Sequence, residues 1–178
     1  MEMPRELLDL YPSYGSNYIG LSGIQPTYWV CVDSDAMRDY DGLHKVAAGA
    51  RTAYLLAAPA RELPISELPN ARPIYRDTDA FWREYFVSGC TSLYVMLKLA
   101  YYDGFDKVLL WGADFDSKWR HFTEDYPVNP LGNVTLIRHN DAIAHLKIAS
   151  TVYKNAGKRI VNYSYPSELD EIFERDDL

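Results

Sequence analysis

The run FVSGCTSLYVMLKLAYYDGFDKVLLWGADFD, residues 86–116, constrains the fold more than any other part of the chain. It joins a small polar glycine turn, an amphipathic helix and an apolar strand that ends in two carboxylates. Leu93, Met96, Leu97 and Ala100 recur at i, i+3, i+4 and i+7, which makes one apolar stripe along a helix that stops at Gly104. The following KVLLWG, residues 107–112, has no polar alternation, the pattern of a strand covered on both faces in a parallel α/β sheet. Ser88, Gly89, Cys90, Thr91 and Ser92 form the turn into the helix. There the unpaired backbone N–H groups and the positive end of the helix dipole make an anion seat. Asp114 and Asp116 fall at the carboxyl end of the strand, the edge where open α/β sheets bind their ligands.

The rest of the chain repeats this alternation. Residues 2–10 read as a short helix stopped near Pro12, and YGSNYIGL (14–21) as a turn followed by a short strand. YWVCV (28–32) is a strand apolar on both faces, and Ser34 or Asp35 caps the helix that runs from there towards Val46. Strands follow at 53–57 and, after a loop punctuated by Pro59, Pro64, Pro69 and Pro73, around 74–76. Residues 118–134 carry two prolines and little periodicity, as a lid or binding loop would. The longest helix is expected over 141–156, with Ala142, Leu146, Ala149 and Tyr153 on one face and Gly157 at its end. RIVNY (159–163) is the last strand, and 167–173 a closing helix capped by Ser167. The expectation is therefore a three-layer α/β, Rossmann-like single domain, residues 1–178, with a mainly parallel sheet and helices on both faces.

Bulk properties narrow the function classes. A formal charge of −7 without a dense Lys/Arg run argues against a nucleic-acid binder. No apolar run reaches the length that spans a bilayer, and the first residues are acidic where a signal peptide needs basic ones. Cys31 and Cys90 have no metal or disulfide spacing, which suits reduced thiols in a cytoplasmic setting. The 15 tyrosines either line a stacking surface or fill an aromatic core and rim.

The run SGCTSLYVMLKLAYYDGFDKVLLWGADFD, with YPSYGSNYIGL and PTYWVCVDSD before it, resembles a group of Rossmann-like proteins. The group includes bacterial sialyltransferases that use cytidine-monophosphate sialic acid and the hydroxymethylpterin diphosphokinase-like family, many of whose members are phage or bacterial proteins. The likeness covers most of the chain. It implies a nucleotide or nucleotide-sugar partner, a glycan acceptor and, for the diphosphokinase branch, Mg²⁺. Three departures accompany it. The glycine-rich strand and loop of the type Gly-x-Gly-Pro-Ser-Leu, with which relatives begin, has no counterpart before MEMPRELLDLYP. Asp116 stands where the sialyltransferases have a Tyr, and His139 in IRHND matches their catalytic His only loosely in position.

Several residues carry two readings. Asn17 resembles the group's ligand-contacting Asn, and an Asn in a turn also serves its own backbone. Asp33 reaches a ribose hydroxyl or, with Asp35, forms an Asp-x-Asp metal pair, while Asp35 alone is a helix cap. Asp114 and Asp116 repeat that spacing, one as a ligand contact and the other as a metal ligand. His121 in its loop and His139 are candidate general bases, or surface histidines; His44 and His145 sit on helices in structural positions. Cys90 at a helix start is either a reactive thiolate or a small packing residue. The glycosyl-transfer reading is an inverting displacement with Ser88, Gly89, Cys90 and Thr91 as the phosphate seat, Asn17, Asp33 and Asp114 on hydroxyls, and His121 or His139 as base. Its alternatives are Mg²⁺-dependent diphosphoryl transfer to a pterin-like alcohol and non-catalytic nucleotide binding. An exposed central sheet edge invites pairing with another chain, so a homo-oligomer is also expected.

Overall fold

The structure, a computed structural model, describes residues 3–38, 40–57, 64–76, 86–87, 91–113, 136–164 and 168–176, with the side chains at 34–35, 40–41, 65–66, 76, 86–87 and 136–139 excepted. The described helices are α1 (Glu6–Leu10), α2 (Ser34–Arg38), α3 (Tyr40–Gly49), α4 (Ser92–Tyr102) and α5 (Leu136–Asn155). The strands are β1 (Tyr14–Ser16), β2 (Tyr28–Cys31), β3 (Thr52–Leu56), β4 (Ala71–Arg76), β5 (Phe86–Val87), β6 (Lys107–Leu110), β7 (Arg159–Asn162) and β8 (Glu174–Arg175). Every described strand pair is parallel. The α/β, Rossmann-like architecture read from the sequence is present.

The sheet comes in two parts, a five-stranded one ordered β1-β2-β3-β4-β5 and a three-stranded one ordered β6-β7-β8. Trp29, Val30 and Cys31 of β2 and Ala53 to Leu56 of β3 are buried, because both faces of these strands are covered, as their unbroken apolar runs require. Helix α3 packs against β3, and α4 lies against β1 and β2 and beside α5, which in turn packs on β7. α4 therefore serves two cores. Its Val95 and Leu99 join Trp29, Leu55 and Ile74, while its Tyr94 and Leu97 join Leu110, Leu146 and Tyr153.

The connection from β5 through α4 carries the chain past β1. Phe105, just ahead of β6, meets the Tyr14 ring edge-on at 6.2 Å between centroids, and the Tyr14 hydroxyl donates to Asp103 at the end of α4. α4 thus ends beside the start of β1 and runs antiparallel to it. Close packing of a different kind fixes the turn after β1: a Cβ on Gly20 would lie 2.3 Å from Val46 Cγ2, so only glycine lets this turn rest on α3.

Several boundaries differ from the sequence reading. After β2 the helix is described as α2 and α3 on either side of residue 39, which lies outside the described residues, and its first cap is Asp33, whose Oδ1 accepts from the Ala36 amide at 3.5 Å, rather than Ser34 or Asp35. Within 14–21 the expected order of turn and then strand is reversed: β1 comes first, and a 3-10 turn at Ile19–Ser22 follows it. The closing helix is a single 3-10 turn, Glu168–Glu171, leading into the unexpected β8. Among the described residues no helix is long and apolar enough to cross a membrane.

Candidate functional site

The strands are added from β1 to β5, and α4, packed on β1 and β2, then carries the chain back to the three-stranded part, so the direction of strand addition reverses between the two parts. In an open parallel sheet the crevice at such a reversal, beyond the carboxyl ends of the strands, is where ligands bind. Asn17 leaves β1 here, Asp33 leaves β2, and Trp111 leaves β6.

Asn17 is the sole described non-glycine residue with a left-handed backbone, φ 45°. Asparagine tolerates that region better than most side chains. Its main chain is held from both sides: the amide donates to the Val30 carbonyl at 3.2 Å, and the carbonyl accepts from Trp29 Nε1 at 2.9 Å. The side chain is not needed to satisfy this turn. Its Oδ1 is buried and has no hydrogen-bond partner among the described residues.

Trp111 stacks on Tyr163 with centroids 4.9 Å apart and planes 13° from parallel, and its Nε1 is likewise buried and without a partner among the described residues. The backbone around it is fixed by a relay. Gly112 takes φ 66°, the Ala113 amide donates to Ser164 Oγ at 2.9 Å, and the Ser164 amide donates to Asn162 Oδ1 at 3.0 Å. Asn162 Nδ2 then donates to Asp170, which Arg175 also holds at 2.9 Å. The sequence reading passed over Trp111, Tyr163, Asn162 and Ser164. A buried indole just before a glycine at a strand end was the available signal.

α4 begins at the same edge, since its other end lies beside the start of β1. Thr91 has extended backbone and its Oγ1 accepts from the Tyr94 amide at 3.2 Å, an N-cap. That bond leaves other first-turn amides and the positive helix end directed outward. Thr91, Asn17 and Asp33 are thereby at the carboxyl ends of the strands, although Asp33 spends one oxygen on capping α2.

The other expected site residues fall elsewhere. Ser88, Gly89, Cys90, Asp114, Asp116 and His121, and the loop at 118–134, lie outside the described residues. Asp35 is in α2 and His139 in α5, with side chains outside the described set. Among the described residues no group of three His, Cys, Asp or Glu comes together. Of the carboxylates expected to hold Mg²⁺, Asp33 alone has a described side chain, and it serves as a cap, so no step is routed through a metal.

Two buried acid groups are perturbed at opposite ends of the sheet, Tyr14 at the start of β1 and Cys31 at the end of β2. Burial, reinforced by the hydrogen bond to Asp103, raises the Tyr14 hydroxyl far above its usual range. Burial pushes the Cys31 thiol up to about 12, so Cys31 is no nucleophile at neutral pH. A cavity of about 10 Å³ between Tyr153, Lys158 and Glu174 lies at the opposite, amino end of β7 and takes no more than a water. Comparison with protein-family models, with curated proteins and with solved structures returned no match.

Proposed function

We propose that the chain binds a nucleotide or nucleotide sugar in the crevice at the carboxyl ends of β1, β2 and β6. The observation that carries this reading is the pair of buried atoms without a hydrogen-bond partner among the described residues, the acceptor Asn17 Oδ1 just after β1 and the donor Trp111 Nε1 just after β6. Each such atom costs about 1–3 kcal/mol while unpaired, a cost that a ligand bearing both a donor and an acceptor removes. A sugar hydroxyl donates to Asn17, and a phosphate oxygen accepts from Trp111 and from the α4 amides. Glycosyl transfer is the chemistry that fits the resemblance, with the departing phosphate stabilised by those amides and the acceptor hydroxyl deprotonated by His121 or His139.

Calorimetry with cytidine monophosphate, ATP and a pterin, each with and without Mg²⁺, tests the reading. Cytidine monophosphate is expected to bind without Mg²⁺, and Asn17→Leu to weaken it about tenfold or more, one lost hydrogen bond to a buried group. ATP and pterin binding only with Mg²⁺ would move the assignment to diphosphoryl transfer. Tight nucleotide binding without turnover of a nucleotide sugar would make the chain a binder. Binding of none of the three ends every nucleotide reading.

A further inference from the structure

The turn that carries Trp111 is anchored to residues far along the chain. Ser164 is buried and bonded at three atoms. Its amide donates to Asn162 Oδ1 at 3.0 Å, its Oγ accepts from the Ala113 amide at 2.9 Å, and its carbonyl accepts from Arg175 Nη1 at 3.2 Å. Asn162 is fully buried and uses both ends of its side-chain amide, Oδ1 on Ser164 and Nδ2 on Asp170 Oδ1 at 2.8 Å. Arg175 holds that same carboxylate oxygen at 2.9 Å. An ionised carboxylate accepts hydrogen bonds and donates none. Asp170, paired with Arg175, therefore holds Asn162 in one orientation, Nδ2 towards itself and Oδ1 towards the Ser164 amide. The reverse orientation would set two acceptors against each other at Asp170 and two donors at Ser164. The indole ring is tied to the same segment: Tyr163 stacks on Trp111, and its hydroxyl donates to Asp176 at 3.4 Å. Leu169, Ile172 and Phe173 seat the segment in the core with Leu146 and Ile160.

We propose that Asp170 is a positioning residue for the turn after β6. Through Asn162 and Ser164 it fixes Ala113, and with it the place at which Trp111 presents its indole N–H. A polar group meets a ligand well only when a further layer of hydrogen bonds holds it in place. Asp170 belongs to the 3-10 turn Glu168–Glu171, some 60 residues after Trp111 in sequence, and reaches the turn by hydrogen bonds alone. What this implies for affinity rests on the nucleotide reading above; the positioning itself does not.

The test is NMR on the full chain, parent against Asp170→Asn, with the Trp111 indole signal assigned by its loss in Trp111→Phe. Asp170→Asn permits both orientations of Asn162, because the new amide can donate as well as accept. The Trp111 indole N–H is expected to shift or split, and the Ala113 amide to exchange about tenfold faster beyond any change at Val30 and Tyr54. Ser164→Ala removes the acceptor of the Ala113 amide, so adding Asp170→Asn to it should move the Trp111 signal no further, as for residues acting in series. Cytidine monophosphate affinity should fall about tenfold in Asp170→Asn, yet stay unchanged when Asp170→Asn is added to Trp111→Phe; a purely structural role would lower both alike. Should Asp170→Asn unfold, Arg175→Gln, which withdraws the clamp from Asp170 and from the Ser164 carbonyl, is read by the same two NMR signals. The proposal is overturned by an unmoved Trp111 signal or by Ala113 exchange that changes no more than that of Val30 and Tyr54. It is equally overturned by a further shift in the Ser164→Ala background or by equal loss of affinity in the Trp111→Phe background. If the parent binds no nucleotide, the nucleotide reading fails and the NMR signals decide the positioning.

Discussion

At the scale of single residues, Trp111 separates stability from binding. Its ring is held by stacking on Tyr163, while its Nε1 has no partner among the described residues. Trp111→Phe keeps an aromatic surface and deletes the orphan donor. It should leave the unfolding free energy within about 1 kcal/mol of the parent, with the loss of packing and the relief of the orphan opposing each other, and weaken nucleotide binding by about tenfold. Loss of stability without loss of nucleotide affinity in calorimetry would make the indole a packing residue only. Cys31 gives the pH counterpart. Its thiol, fully buried and donating to the Asp33 carbonyl, stays protonated up to about pH 12 in the folded chain and ionises near its ordinary value when unfolded. Between those two values the folded state holds the extra proton, so this contribution is intact below about pH 9 and is lost as pH rises towards 12. In a Cys90→Ser variant, a thiol reagent at pH 8 should therefore react only after denaturant is added; prompt reaction of the native protein would contradict the burial.

At the scale of elements, the end of α3 is closed by side chains from outside the helix. Asn70 Nδ2 donates to the carbonyls of Ala47 and Ala50, both at 2.7 Å, and Gln25 Nε2 donates to Val46 at 3.0 Å. Val46 and Ala47 are in the last turn of α3, where their carbonyls also share the Ala50 amide at 3.2 and 3.3 Å, and Ala50 is the residue just past the helix. Asn70→Asp replaces the two donors by acceptors facing carbonyls and should cost about 2–4 kcal/mol in urea unfolding, more than Asn70→Ala, because repulsion adds to the lost bonds. Equal costs would mean that Asn70 contributes shape alone. Such long-range caps are also why some boundaries were illegible in the sequence. The strands β2, β3, β6 and β7 announced themselves by apolar runs that only two covered faces can satisfy. Asp33, by contrast, caps α2 from the position before the expected one, because the three polar residues 33–35 are equivalent caps until β2 fixes where the turn begins. β8 is two residues long and exists through its pairing with Val161 and Asn162, a tertiary cause without a local sequence signal. Asn17 was visible as a turn asparagine, whereas its orphaned side chain depends on Trp29 taking its carbonyl. Trp111 read as strand because the indole is apolar in any pattern scan; its unmet N–H is a property of the surroundings.

At the scale of the molecule, α4 decides whether the two parts of the sheet behave as one. The helix lends Val95 and Leu99 to the five-stranded part and Tyr94 and Leu97 to the three-stranded part, and the Tyr153 hydroxyl of α5 donates to its Leu97 carbonyl at 2.6 Å. No backbone pairing crosses between the two parts among the described residues, so side-chain packing on this one helix carries the coupling. Leu97→Ala and Leu99→Ala each remove a buried leucine and should cost about 2–5 kcal/mol, a large share of the roughly 5–15 kcal/mol that holds a domain folded. If α4 couples the parts, each substitution accelerates exchange in both the β2–β3 and the β6–β7 segments, although each leucine touches only one core. Hydrogen exchange by mass spectrometry distinguishes the alternatives. Acceleration confined to β6–β7 in Leu97→Ala and to β2–β3 in Leu99→Ala would mean two independently opening units, and α4 would then be a linker between them. Coupled opening is the outcome the packing requires, because neither core can be formed without the helix that both share.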